Sequence, residues 1–197
     1  WAYGYLQSKE AYKSQQELID ITAEYRRRQV PLDAVIQDWC SWEDGNWGEK
    51  IPVVTSDSEK GARLIAERIV ASGCRNILMI EGRSYMRQPF DARGTGVKKI
   101  LKDHGISVIS TEIEWNIVSY EYYAQVVEKY LDLFDDVDGI YVGDLPAVAC
   151  MAVAEKRGIR VPEELKIIGY DGLDIGKFVN PPLTTVKQDI PRMAKCC

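Results

Sequence analysis

The sequence predicts an α/β fold, an open three-layer parallel sheet preceded by a separate β-α-β unit. Two patterns carry this expectation. From residue 51 onward, short runs of β-branched residues alternate with apolar stripes at helical spacing, and strands separated by helices of this length pair in parallel through crossovers. Ahead of residue 40 stands a single strand, helix, strand pattern. It is divided from the rest by Trp42–Lys50, a stretch with Gly45, Gly48 and three acids that reads as a loop.

Taken in order, Trp1 to Leu6 is aromatic and extended. Ser14 and Glu17 have capping-box spacing, in which each side chain satisfies an orphan amide at a helix start. The helix is expected through Arg28, with Leu18, Ile21, Thr22 and Tyr25 on one stripe, and Pro31 stops it before the apolar run Leu32–Ile36. Beyond the loop, Ile51–Thr55 is a short strand. Ser56 and Glu59 repeat the capping box before a helix whose Ala62, Ile65, Ala66 and Ile69 share a face, and Gly73 ends it. Strands are then expected at Asn76–Ile80, Ser107–Ser110, Gly139–Val142 and Lys166–Tyr170. Helices near 92–103, 119–134 and 145–157 separate them, with Tyr123, Val127, Tyr130 and Phe134 giving the clearest stripe.

Composition excludes several functions. A formal charge of −5 argues against direct nucleic-acid contact, which needs clustered cations to displace counterions. The one basic run, Arg26-Arg27-Arg28, closes a helix, where cations offset the dipole. Cysteines at 40, 74, 150, 196 and 197 show no CxxC spacing, so no metal site is expected, and reduced thiols suit a cytoplasmic chain. No apolar run of about 18 residues suggests a membrane span. His104, the only histidine, precedes Gly105 at a helix end and has no nucleophile signature around it. Gly94 and Gly96 do not make a dinucleotide loop, and Asp132, Asp135, Asp136 and Asp138 lack calcium-loop order. No catalytic residue and no cofactor are therefore expected.

Several pieces in order carry a resemblance: Ile51-Pro52-Val53-Val54-Thr55-Ser56-Asp57, Gly73-Cys74-Arg75-Asn76-Ile77, Arg93-Gly94-Thr95-Gly96, Val137-Asp138-Gly139-Ile140, Gly158-Ile159-Arg160-Val161-Pro162, Ile167-Ile168-Gly169-Tyr170-Asp171-Gly172 and Pro181-Pro182-Leu183-Thr184-Thr185-Val186-Lys187-Gln188. Together they resemble the periplasmic-binding-protein-like, effector-binding core of lactose-repressor-type transcriptional regulators, over about three-quarters of the chain. The resemblance implies two α/β lobes closing on a small effector, usually a sugar. It places one complete lobe at about residues 56–180 and assigns Ile51–Thr55 and Leu183–Gln188 to the other. The DNA-reading headpiece is not among the matched pieces. Regulators of this type commonly pair through their cores, which implies a homodimer with half of that interface missing here.

By position, the resemblance makes Arg93 the ligand-reaching arginine, a role that suits its fixed fork of donors; a surface helix arginine is the plainer alternative. Asp171, directly after a strand, matches the acidic ligand contact, against a turn carboxylate. Gly143-Asp144 stands where the family has Asn-Asp, so only Asp144 carries over. Trp115 falls where some sugar-binding members stack an aromatic on a pyranose, and core packing explains it as well.

The first fifty residues point elsewhere. Trp1-Ala2-Tyr3-Gly4-Tyr5-Leu6-Gln7-Ser8-Lys9-Glu10 and Pro31-Leu32-Asp33-Ala34-Val35-Ile36-Gln37-Asp38-Trp39 resemble consecutive strands of a family-31 glycoside hydrolase barrel of the α-xylosidase kind. That implies a β-α-β unit of barrel type, a boundary near Lys50, and a chimera of the two families. It also makes Asp38 a contact for sugar hydroxyls, followed by an aromatic loop of Trp39, Trp42 and Trp47. Hydrolysis is not implied, because it needs two carboxylates about 5–9 Å apart and the family carries its pair on later strands. The expected function is a non-catalytic sugar-binding module; the alternatives are a chimeric fold without a ligand and an inactive hydrolase fragment.

Overall fold

The computed structural model describes residues 5–12, 14–40, 56–83, 92–114, 117 and 119–196. The chain divides into two compact units, Trp1–Val54 and Thr55–Cys197.

In the first unit, β1 (Leu6–Ala11) and β2 (Ala34–Cys40) pair in parallel around α1 (Gln15–Arg27), with Leu6 opposite Ala34. Ser14 caps α1 as expected, its Oγ accepting the Glu17 amide at 3.2 Å. The β2 ladder starts at Ala34 rather than Leu32, and Asp33 ties its start to that of β1: its carboxylate accepts the Tyr5 amide at 2.9 Å and its own amide donates to the Tyr5 carbonyl at 3.0 Å. Tyr25 donates to Gln7 Oε1 at 2.8 Å and stacks on Tyr5 at 5.8 Å between centroids, fastening α1 to the strand. The expected strand at residues 1–6 falls largely outside the described residues; β1 begins at Leu6.

The second unit holds α2 (Ser58–Ala71), β3 (Asn76–Arg83), α3 (Ala92–Asp103), β4 (Ser107–Glu114), α4 (Tyr120–Leu133), β5 (Gly139–Tyr141), α5 (Asp144–Lys156), β6 (Lys166–Asp171), β7 (Thr184–Lys187) and α6 (Ile190–Cys196). Its five strands are all parallel in the order β4-β3-β5-β6-β7. The α2 cap is Asp57, whose Oδ1 accepts the Lys60 amide at 2.9 Å, one residue later than the expected Ser56; a carboxylate there also meets the positive helix end. Ile51–Thr55 lies outside the described residues.

Alternation along the strands builds the three layers. Ile77 and Met79 of β3 with Ile168 and Tyr170 of β6 face α2 and α3, whereas Leu78 and Ile80 with Ile140 and Ile167 face α4 and α5. Each such side chain is essentially buried, contributing about 1.5–3 kcal/mol on transfer from water. The helices α2 and α3 approach closely, since a Cβ on Gly96 would stand 2.9 Å from Ala62 Cβ.

One expectation needs correction. Leu183–Gln188, assigned by resemblance to the other lobe, supplies β7, which pairs with β6 from Ile168↔Thr184 to Asp171↔Lys187. The return connection carries only a 3-10 turn, Asp174–Lys177, so no helical stripe announced the crossover.

Candidate ligand-binding site

From β3 the chain turns through α3 to β4 on one side, then returns through α4 to β5 on the other side of β3. A crevice opens outside the carboxyl ends of parallel strands at such a reversal, which is where ligands bind in open α/β sheets. Arg93 lies in the first turn of α3. Asp171 is the last residue of β6, and Asp144 opens α5 directly after β5.

Arg93 and Asp171 meet. Arg93 Nη1 stands 3.8 Å from Asp171 Oδ1, with the side chains 31% and 38% exposed. That separation is an ion pair outside the 2.7–3.2 Å range of a good N–H···O bond, so a hydroxyl can enter, accepting from the guanidinium and donating to the carboxylate. The guanidinium lies over the Tyr170 ring, 4.5 Å from its centroid. Tyr170 is itself buried and runs its hydroxyl end against Gly61 of α2, where any Cβ would collide with it. The ring is therefore a fixed shelf that sets the height of the arginine.

Asp171 has φ 121°, a backbone conformation that side-chain-bearing residues rarely adopt, and Gly172 follows at φ 73°. A Cβ on Gly172 would come 2.5 Å from Lys187 Cα, so only glycine lets the chain turn here. Gln188 Nε2 donates to Asp171 Oδ1 at 2.7 Å. Burial is the main force pushing the Asp171 carboxyl above its ordinary value, with the Gln188 hydrogen bond and Arg93 pulling it down and Asp144 pushing it up.

Asp144 is placed differently from the expectation of a ligand contact. It is 1% exposed, its Oδ2 accepts the Leu173 amide at 2.6 Å and its Oδ1 accepts the Thr185 hydroxyl at 2.6 Å. It packs on Gly169, where a Cβ would overlap Oδ1, and so is buried behind the end of β6. Trp115 falls outside the described residues. Asp38 lies in β2 of the first unit.

Sequence reasoning assigned no role to Gln188, Thr185 or Tyr170. The first two belong to the quoted Pro-Pro-Leu-Thr-Thr-Val-Lys-Gln run, and Tyr170 directly precedes Asp171. His104 sits at the end of α3, its Nδ1 2.9 Å from the Ile100 carbonyl, away from these residues in sequence and spent on the helix end. Burial pushes the Cys150 thiol up to about 12, far from any nucleophilic form. Among the described residues no cluster of three or more His, Cys, Asp or Glu is arranged to hold a metal, and no helix is long and apolar enough to cross a membrane.

A ribose operon repressor from Halalkalibacterium halodurans is 30% identical over 168 residues, covering 85% of this chain and 47% of its own length. The transcriptional repressor PurR of Photobacterium profundum is 27% identical over 184 residues, covering 91% of this chain and 51% of its own. Among solved structures, a LacI family transcriptional regulator from Enterococcus faecium with bound ribose superimposes with a TM-score of 0.66 at 21% identity, over 93% of this chain and 64% of that one. The chain thus spans about half the length of these curated relatives. Because residues 51–197 make up about three-quarters of the chain, matches covering 85% and 91% of it extend into the first fifty residues, where the barrel resemblance lies. The family model of the periplasmic binding protein-like domain matches residues 66–197, so this chain belongs to the periplasmic binding protein-like domain family.

Proposed function

We propose that this chain is the effector-binding portion of a cytoplasmic transcriptional regulator of the lactose-repressor type, and that it binds a small sugar without catalysis. The observation that carries the reading is the pairing of Arg93 with Asp171 at the carboxyl end of β6, 3.8 Å apart, with the guanidinium resting over the Tyr170 ring. A fork of cationic donors beside a carboxylate acceptor is matched by neighbouring hydroxyls, which both donate and accept. Support also comes from the relatives, one named a ribose operon repressor and one solved with bound ribose. In this reading the regulator works as a homodimer and reads DNA through a segment that the present stretch does not match.

For the first unit, the parallel β1-α1-β2 arrangement is common to barrels and to binding-protein lobes. The extension of the matches into it favours an origin in the first lobe of the same family. What speaks for a hydrolase barrel, and hence a chimera, is the sequence of residues 1–10 and 31–39.

The test is a thermal melt with a panel of pentoses, hexoses and xylose-containing disaccharides. A sugar at 100 times its dissociation constant adds about 2.7 kcal/mol and raises the midpoint. A cooperative melt moved by one sugar supports the reading. A cooperative melt that none of them moves overturns it in favour of a fold that binds no sugar.

A further inference from the structure

The two residues that follow Asp171 are gripped from behind by a buried carboxylate and a half-buried threonine hydroxyl. Asp144, 1% exposed, accepts the Leu173 amide on Oδ2 and the Thr185 hydroxyl on Oδ1, both at 2.6 Å. Thr185 Oγ1 in turn accepts the Gly172 amide at 3.3 Å. Asp144 comes from α5 and Thr185 from β7, so the grip ties two elements to the turn that leaves β6. A buried carboxylate is tolerated only where hydrogen bonds compensate it, and here the compensating donors are the backbone of this turn and the threonine that braces it.

Asp171 stands immediately before that grip at φ 121°, a conformation which persists only when its surroundings impose it. Its other restraints are the β6–β7 register, Asp171 opposite Lys187, and the Gln188 amide on Oδ1 at 2.7 Å. We infer that Asp144 and Thr185 form a positioning pair, which fixes the Asp171 turn so that its carboxylate points at the ligand and meets Gln188, without either residue touching the ligand. The inference rests on the reading of Asp171 as a sugar contact. It moves Asp144 from the ligand to the support behind it, and it gives Thr185 a task that apolar packing cannot perform.

The experiment compares the parent with T185V, T185S and a core variant, I140V, that lowers stability without touching the turn. Sugar affinity, thermal midpoint and the NMR signal of the Gln188 side-chain amide are read on each. T185V removes the hydroxyl at nearly constant volume, and the expected result is about a tenfold or larger loss of affinity with the Gln188 amide shifting toward its solvent-exposed position. T185S restores the hydroxyl and keeps both readouts near the parent, while I140V lowers the midpoint and moves neither. Should T185V not fold, T185A supplies the same deletion with less crowding. The inference is overturned if T185V changes affinity and the Gln188 signal no more than I140V does. If the parent binds no sugar, the proposed function fails on its own, and the Gln188 signal alone decides the positioning role: shifted in T185V and restored in T185S supports it, unshifted overturns it.

Discussion

Carboxylates are treated in opposite ways at the two ends of the five-stranded sheet. At the amino end, Asp138 precedes β5 and takes the Arg75 amide at 2.8 and 3.0 Å and the Asn76 amide at 3.0 Å, stitching the start of β3 to the start of β5. Its partners are all backbone, so its charge is consumed by the fold. At the carboxyl end, Asp171 takes one side-chain amide and leaves Arg93 outside hydrogen-bonding distance, with both groups about a third exposed. The contrast separates a carboxylate whose hydrogen bonds all join strand ends from one left partly exposed beside an arginine. Asp144 refines the lesson: it lies at the same carboxyl end, yet its bonding is of the structural kind.

The largest expected effect tests the proposed ligand contact at the carboxyl end. Arg93→Ala should weaken sugar binding by about tenfold to a hundredfold, the worth of a charge-assisted hydrogen bond, while the thermal midpoint stays close to the parent because an ion pair this exposed adds little stability. Calorimetric titration beside a melt checks both halves, and unchanged affinity would remove Arg93 from the site. Gly169→Ala comes next. Its Cβ would run into Asp144 Oδ1 and stand 2.9 Å from Leu183 Cδ2, so a loss of about 1–3 kcal/mol is expected in urea unfolding. Asp138→Ala should cost about 1–3 kcal/mol, since it abandons the exposed Arg75 amide and the half-buried Asn76 amide, and should leave sugar affinity unchanged. A loss of affinity in that variant would mean that the two ends of the sheet are coupled.

The layers of the sheet were legible because helices α2 to α5 each carry a stripe or a cap, and β3 to β6 each carry a short apolar run. Arg93 and Asp171 were singled out through resemblance, by their places relative to a helix start and a strand end, and the structure brings them within 3.8 Å of each other. The contacts of Asp144 behind them were not legible. Asp144 meets Leu173 and Thr185 across 29 and 41 residues, a pairing set by the β5-β6-β7 order, which no local pattern encodes. Nothing in the residue type distinguishes a partly exposed carboxylate from a buried one, and only burial separates Asp144 from Asp171. The strand β7 is four residues long, too short for periodicity to mark it, and its place beside β6 had to come from the ladder itself.

The smallest expected effect is a dependence on pH that should belong to one end of the sheet only. Burial lifts the Asp171 carboxyl above its ordinary 3.8, Asp144 adds to the rise, and Gln188 and Arg93 oppose it. A group that holds its proton more tightly in the folded state stabilises the fold most below 3.8. That contribution is lost as pH rises from 3.8 through the raised value. Ligand affinity runs the other way, because the ionised carboxylate is the better acceptor for sugar hydroxyls; binding should weaken as pH falls through the raised value, before ordinary carboxylates titrate. Asp171→Asn should weaken binding and flatten both dependences above pH 3.8, whereas Asp138→Ala should leave the slope of affinity as it is in the parent. Titrations across that range decide the matter: a slope that survives in Asp171→Asn would assign the titrating group to another carboxylate, and the contrast between the two ends would no longer rest on Asp171.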